Sequence, residues 1–144
     1  VIVMTSNLGS EIIQEFAGET YDKMKAAVME IVAKNFRPEF INRIDESVVF
    51  HALKKDQIRD IAQIQVEQIK KRLKEKDYVL DVTDQALDFL AQCGYDPVYG
   101  ARPLKRALQH HLENPLSEAI LQGKFMPGDK ITAEKHGEGL VFNN

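Results

Sequence analysis

Only one cysteine occurs in the 144 residues, Cys93. That excludes an internal disulfide and fits a reducing compartment such as the cytoplasm. No apolar run approaches the ~20 residues that cross a bilayer, so no membrane partner is expected. No basic flank followed by a small-residue cleavage site marks a signal peptide. Charge of one sign is scarce as well. Lys and Arg number 19 against 22 Asp and Glu, a net charge of −3. No general pull toward nucleic acid or anionic lipid follows from that balance. The four histidines lack ligand spacing: His51 and His136 stand apart, and adjacent His110 and His111 are expected on different sides of a helix. No metal site is expected. Repeats and a low-complexity tail are absent too. Also missing is a true phosphate-cradling loop. Gly123 to Lys130 reads G-x-x-x-x-G-D-K, but the Lys is displaced, Ile131 replaces the Ser/Thr that would hold Mg²⁺, and a strand is expected to follow.

What remains is an ordinary globular composition, 44% hydrophobic and 28% charged, enough for one domain or two small ones. Val1 opens inside an apolar run without an initiator Met, so the chain is expected to be a piece of something longer. Val1 to Met4 reads as a strand covered on both faces, whose neighbours lie elsewhere. Asn7 follows it, either as a ligand-binding residue at the strand's end or as part of a helix cap. Leu8 to Ala17 is weakly helical. Helical spacing of Met24, Ala27, Val28, Ile31 and Val32 predicts a helix over 21–34, capped by Thr20. Phe36 to Glu46 follows, with Pro38 opening a short turn and apolar Phe36, Phe40, Ile41 and Ile44 anchoring it. Arg43 sits among them, close to Asp45 and Glu46, where a local ion pair is the simplest reading. Val48 to Phe50 reads as a last short strand.

A polar connection puts a domain boundary near residue 52. Asp56 is expected to cap a helix over 57–76, with Ile58, Ile61, Ala62, Gln65 or Val66, Ile69 and Leu73 on one stripe. Its basic end, Lys70 to Lys76, lacks interleaved aromatics and reads as a solvated face favoured by the helix dipole. Tyr78 to Val82 alternates like a half-buried strand. Thr83 caps a helix with Leu87, Leu90 and Ala91 inward. Cys93 near its end is expected to be inert core, since no His-Asn or His-Asp pattern accompanies it. Leu104, Ala107, Leu108, His111 and Leu112 share a further helical face, which Asn114-Pro115 breaks or kinks, Asn114 capping the continuation. Strands over 130–135 and 140–142, joined at Gly137 to Gly139, complete a three-stranded sheet.

Between two of these helices lies Gly94-Tyr-Asp-Pro-Val-Tyr-Gly-Ala-Arg-Pro-Leu-Lys-Arg-Ala107. Gly94 is expected to stop a helix in the left-handed conformation. Asp96-Pro97 restarts a short turn that Gly100 ends. Arg102 precedes Pro103 and projects from a helix start, where the dipole disfavours a cation. Two readings stand. Either an anion such as phosphate sits at that end, or Arg102 pairs with a carboxylate or with solvent.

Gly94 to Ala107, with its Gly100-Ala101-Arg102 core, resembles the sensor-2 motif of Clp-type AAA+ ATPases. Met4 to Ser10 resembles their sensor-1 strand, and Phe36 to Glu46 their arginine-finger segment. Met4 to Ser10 and Asp60 to Gln65 look most like the disaggregase branch rather than the protease-partner branch. The resemblance implies an α/β fold: the C-terminal part of an AAA+ large subdomain over 1–52, then a small helical subdomain with the three-stranded sheet over 53–144. It implies that Asn7 positions the attacking water and that Arg102, beside Ala101, reaches the γ-phosphate of ATP in the same subunit. Arg43 would reach the neighbour's ATP, with Arg37 a weaker candidate. The start of the helix at 57 would line the adenine pocket. The whole protein would be a homo-hexameric, Mg²⁺-dependent ATPase that threads aggregated polypeptide, working with an Hsp70-class chaperone. Residues 1–144 lack the Walker A lysine and the Walker B acid pair and are expected to be inactive alone. A non-enzymatic α/β interaction module is the alternative from another class.

Overall fold

The structure, a computed structural model, describes residues 1–16 and 18–144. The chain divides into two compact units, Val1–Ala52 and Leu53–Asn144.

Among the described residues of the first unit three helices follow one another: α1 (Ser10–Glu15), α2 (Tyr21–Asn35) and α3 (Pro38–Ile41). Ala17, at the end of the stretch expected to be weakly helical, lies outside the described residues. Met24 and Val28, one helical turn apart on α2, form the buried stripe of this unit. Thr20 occupies the N-cap of α2 in extended conformation, but its side chain makes no capping bond. Pro38 opens α3, where its missing N–H costs nothing. Two expected strands do not form. Val1 to Met4 and Val48 to Phe50 are irregular, and Val1 to Met4 is exposed along its whole length. A strand's main-chain groups need a neighbouring strand, and the described residues of this unit supply none.

The second unit holds the continuous core. Its long helix α4 (Lys55–Lys74) buries Ile58, Ala62, Val66 and Ile69, so Val66 and not Gln65 completes the stripe. It starts earlier than expected. Lys54 is the N-cap residue, and its N–H donates to Gln57 Oε1 at 2.9 Å, which displaces Asp56 from that role. Strand β1 (Val79–Val82) points Leu80 inward and leaves Val79 and Asp81 outside. Thr83 caps α5 (Asp84–Cys93) as expected, its Oγ1 accepting from the Ala86 N–H at 3.3 Å and donating to the Ala133 carbonyl at 3.3 Å. Strands β2 (Lys130–His136) and β3 (Gly139–Asn143) complete a sheet of order β1-β2-β3, parallel then antiparallel. Register is set by Leu80 opposite Ile131 and by Ala133 opposite Phe142.

Between α5 and β2 the chain is helical from Leu104 to Leu121, with loops on either side. α6 (Leu104–Leu108) runs into a π-helical turn, Gln109–Glu113, and then α7 (Asn114–Leu121). Of the break or kink expected at Asn114-Pro115, no break forms, and Asn114 does not cap a new helix: it is itself helical (φ −64°, ψ −51°), and its N–H bonds back to the Gln109 carbonyl. Proline has no N–H to give to the carbonyl four residues back, and its ring crowds that carbonyl. Widening the preceding turn to the five-residue spacing absorbs the mismatch without ending the helix. Leu104, Leu108, Leu112 and Leu116 therefore stay on one buried face, against Leu87, Leu90 and Ile131.

Candidate functional site

The residues of interest in the second unit are carried by the loop between α5 and α6. Its exit from α5 is set by a close approach. Gly94 has φ −91° and ψ 2°, not the left-handed conformation expected of it. A Cβ there would meet Leu104 Cδ1 at 2.4 Å and Leu104 Cα at 2.7 Å. Glycine is required because the backbone at the start of α6 passes directly over it.

Beyond Gly94 the chain folds into a closed five-residue loop. The Asp96 N–H donates to the Gly100 carbonyl at 3.0 Å, and the Gly100 N–H returns to the Asp96 carbonyl at 2.7 Å. The Asp96 carboxylate accepts from the N–H groups of Val98 and Tyr99 at 2.7 and 2.9 Å, the capping role anticipated for it. Gly100 closes the loop at φ +62°, where a side chain would be strained. Arg102 follows. Its N–H donates to the Tyr99 carbonyl at 3.2 Å, and its guanidinium lies over the Tyr99 ring, 5.6 Å from the centroid. Arg102 is exposed, and among the described residues no carboxylate pairs with it. Its fork of donors is therefore open to an anion. Tyr99 was not singled out by sequence. Its place three residues before an arginine, inside a turn, is the signal that could have drawn attention to it.

A groove between α4 and α5 is lined by Lys55, Asp56, Arg59, Asp60, Asp88 and Tyr95, with Ala91 and Gln92. The beginning of α4 forms one of its walls. Arg59 ties the two helices together, with Nε to Asp88 at 2.5 Å and Nη2 to Asp84 at 2.8 Å. Those hydrogen bonds, Asp88 first and Asp84 second, raise the pKa of the Arg59 guanidinium. The fork needs α4 laid against α5, a tertiary relation no sequence spacing discloses.

Cys93 is exposed, against the expectation that it belongs to the core. Its thiol is nevertheless not activated. Partial burial pushes it up, and nearby Lys135 offsets only part of that shift. Most N–H groups of the loop that imitates a phosphate cradle are already engaged within the protein. Gly123 donates to the Ile120 carbonyl, Lys124 to Ala119, Gly128 to Asp77, and Met126 to the Asp129 side chain. The rings of His110 and His111 lie 4.8 Å apart edge to face, closer than their adjacency on an α-helix suggested, and they sit in the π-helical turn.

In the first unit Asn7 is exposed. Its main-chain carbonyl accepts from the Ser10 N–H and hydroxyl at 3.2 and 2.5 Å. Its side chain caps nothing, because Gly9 is the N-cap of α1 and makes no side-chain capping bond. Arg43 lies in the turn after α3, its N–H on the Phe40 carbonyl at 3.1 Å. Earlier in the same segment the rings of Phe36 and Phe40 pack with centroids 5.2 Å apart. Arg37 and Arg43 are both exposed, and neither pairs with Asp45, Glu46 or any other described carboxylate.

Residues 1–47 match the family model of the AAA domain (Cdc48 subfamily), which sets the class. Residues 53–133, over half of the chain, match the C-terminal, D2-small domain of ClpB protein. The chain belongs to the ClpB family. It is 58% identical over 91% of its length to the chaperone protein ClpB of Vibrio cholerae serotype O1, of which it covers 15%. It is 49% identical over its whole length to ClpB 2 of Synechocystis sp., covering 17% of that protein. The chain thus spans about a sixth of these relatives. Among solved structures it is similar to S. cerevisiae Hsp104 in an extended complex with casein, at TM-score 0.85 and 35% identity, over all of this chain and 26% of that one. A closed-state reconstruction of Hsp104 with ATPγS and FITC-casein gives TM-score 0.85 and 37% identity, covering 99% of this chain and 25% of that one. The fold is therefore that of the C-terminal region of a disaggregase AAA+ module.

Proposed function

We propose that this chain supplies the phosphate-sensing residues of an ATP-driven protein disaggregase, with 1–52 as the end of an AAA+ large subdomain and 53–144 as its small subdomain. Arg102, next to Ala101, contacts the γ-phosphate of ATP in its own subunit. Asn7 orients the attacking water. Arg43 crosses to the γ-phosphate of the neighbouring subunit, with Arg37 the fallback. ATP with Mg²⁺ supplies the phosphoryl group that passes to water. The residues that cradle its β-phosphate and hold the metal are not among these 144, so this chain contributes charge and positioning only. The working protein would be a cytoplasmic homo-hexamer acting on unfolded or aggregated polypeptide, assisted by an Hsp70-class chaperone.

One observation carries this reading. Arg102 stands on a loop closed by its own hydrogen bonds, exposed and, among the described residues, without a carboxylate partner. Holding a cation in that state suits an anionic ligand better than a structural ion pair. The test is Arg102→Ala in the full-length protein. Hexamers should still assemble, and ATP turnover at saturating ATP should fall, since an interaction made to transition-state charge affects the rate more than binding. Normal turnover would leave Arg102 a surface residue.

A further inference from the structure

Tyr99 lies beneath the guanidinium of Arg102, and the loop is built to keep it there. The Asp96 carboxylate holds the N–H of Tyr99 at 2.9 Å, and the Asp96–Gly100 main-chain pair closes the ring of residues around it. The Tyr99 carbonyl accepts from Arg102 itself, fixing the two residues one turn apart. The Tyr99 side chain is 60% exposed, so it is not there to fill the core. An aromatic face attracts a guanidinium through the ring's quadrupole. Unlike a carboxylate, it takes none of the five N–H donors. A carboxylate in the same place would restrain Arg102 equally well but would compete with an incoming phosphate.

We infer that Tyr99 is a positioning residue that holds Arg102 ready for the γ-phosphate through its ring face, with Asp96 fixing the loop that presents it. This rests on the proposed role of Arg102. It adds that the ring, not the hydroxyl, does the holding. Without the ring the side chain of Arg102 must be ordered anew at each turnover, and the rate falls while binding of ATP, carried by residues elsewhere, changes little.

The experiment is a double-mutant cycle in the full-length ATPase: Tyr99→Leu, Tyr99→Phe, Arg102→Ala and the Tyr99→Leu/Arg102→Ala pair, each followed by steady-state kcat and KM for ATP. Tyr99→Leu should lower kcat roughly two- to fivefold, the scale of an exposed cation–π contact, with KM within about twofold of wild type. Tyr99→Phe should retain wild-type kcat. In the Arg102→Ala background Tyr99→Leu should have no further effect, because its action passes through Arg102. If Arg102→Ala alone leaves turnover normal, the phosphate-sensing reading fails and this inference falls with it. If Arg102→Ala is slow but Tyr99→Leu matches wild type, the positioning role alone is overturned. The same holds if Tyr99→Leu lowers kcat equally in both backgrounds, which marks a structural effect, or if Tyr99→Phe is as slow as Tyr99→Leu.

Discussion

A Cβ at Gly94 would lie 2.7 Å from the Cα of Leu104, a residue with only 2% of its surface exposed. The clash is with backbone, which cannot swing aside as a flexible side chain can. Gly94→Ala should therefore destabilise the second unit by ~1–3 kcal/mol through forced separation of α5 from α6. Thermal unfolding should show a Tm at least ~4 °C lower; an unchanged Tm would mean the approach relaxes freely. The sequence marked Gly94 as special but assigned the wrong reason. Glycine serves both positive φ and close approach, and local sequence does not separate the two. The arginines were legible for a simpler cause. Arg102 beside Pro103 and Arg43 among apolar neighbours are chemically conspicuous in the chain itself. Tyr99 and Arg59 were not, because each acquires meaning only from what folding places against it.

Periodicity and capping carried most of the second unit's elements. Thr83, the stripe on α4 and the alternation of β1 all follow from local rules. The π-helical turn did not, since Pro115 signals a mismatch without saying whether the helix ends or widens. That turn has a consequence for pH. His111 is half-buried there, against Phe89 and His110, with Lys135 over the Phe89 ring. Burial, and secondarily His110, lowers the pKa of His111 below that of an ordinary histidine. The unfolded chain then binds the proton first as pH falls, so stability is complete above the ordinary value near 6.5 and is lost on acidification toward the depressed one. Thermal melts at pH 7.5 and 5.5 should differ, and the drop should be smaller for His111→Gln. An equal drop in the variant would assign the pH dependence to other groups.

At the scale of the whole molecule the two units differ in what they need. The second has a continuous core from Ile58 to Ala133 and a complete small sheet, whereas among its described residues the first buries only Met24 and Val28 and leaves Val1 to Met4 exposed. Residues 53–144 alone should give a cooperative thermal transition by circular dichroism, and a broad, non-cooperative melt would contradict that independence. The irregular runs at Val1 to Met4 and Val48 to Phe50 have the β-branched composition of strands, which is why sequence reads them so, but pairing is not a local property. That Arg43 acts on ATP held by a neighbouring subunit is tested most directly by mixing. Full-length Arg43→Ala protein would be combined with a full-length variant whose Walker A lysine is disabled, and ATP turnover followed with mixed hexamers verified by mass spectrometry. Neither variant alone should be active, since loss of such an arginine costs about 10³–10⁵ in rate in other phosphoryl-transfer enzymes. In mixed rings the Arg43→Ala subunits regain a neighbour with an intact arginine, and part of the activity should return. No recovery in verified mixed hexamers, or near-normal activity of Arg43→Ala alone, would contradict the account.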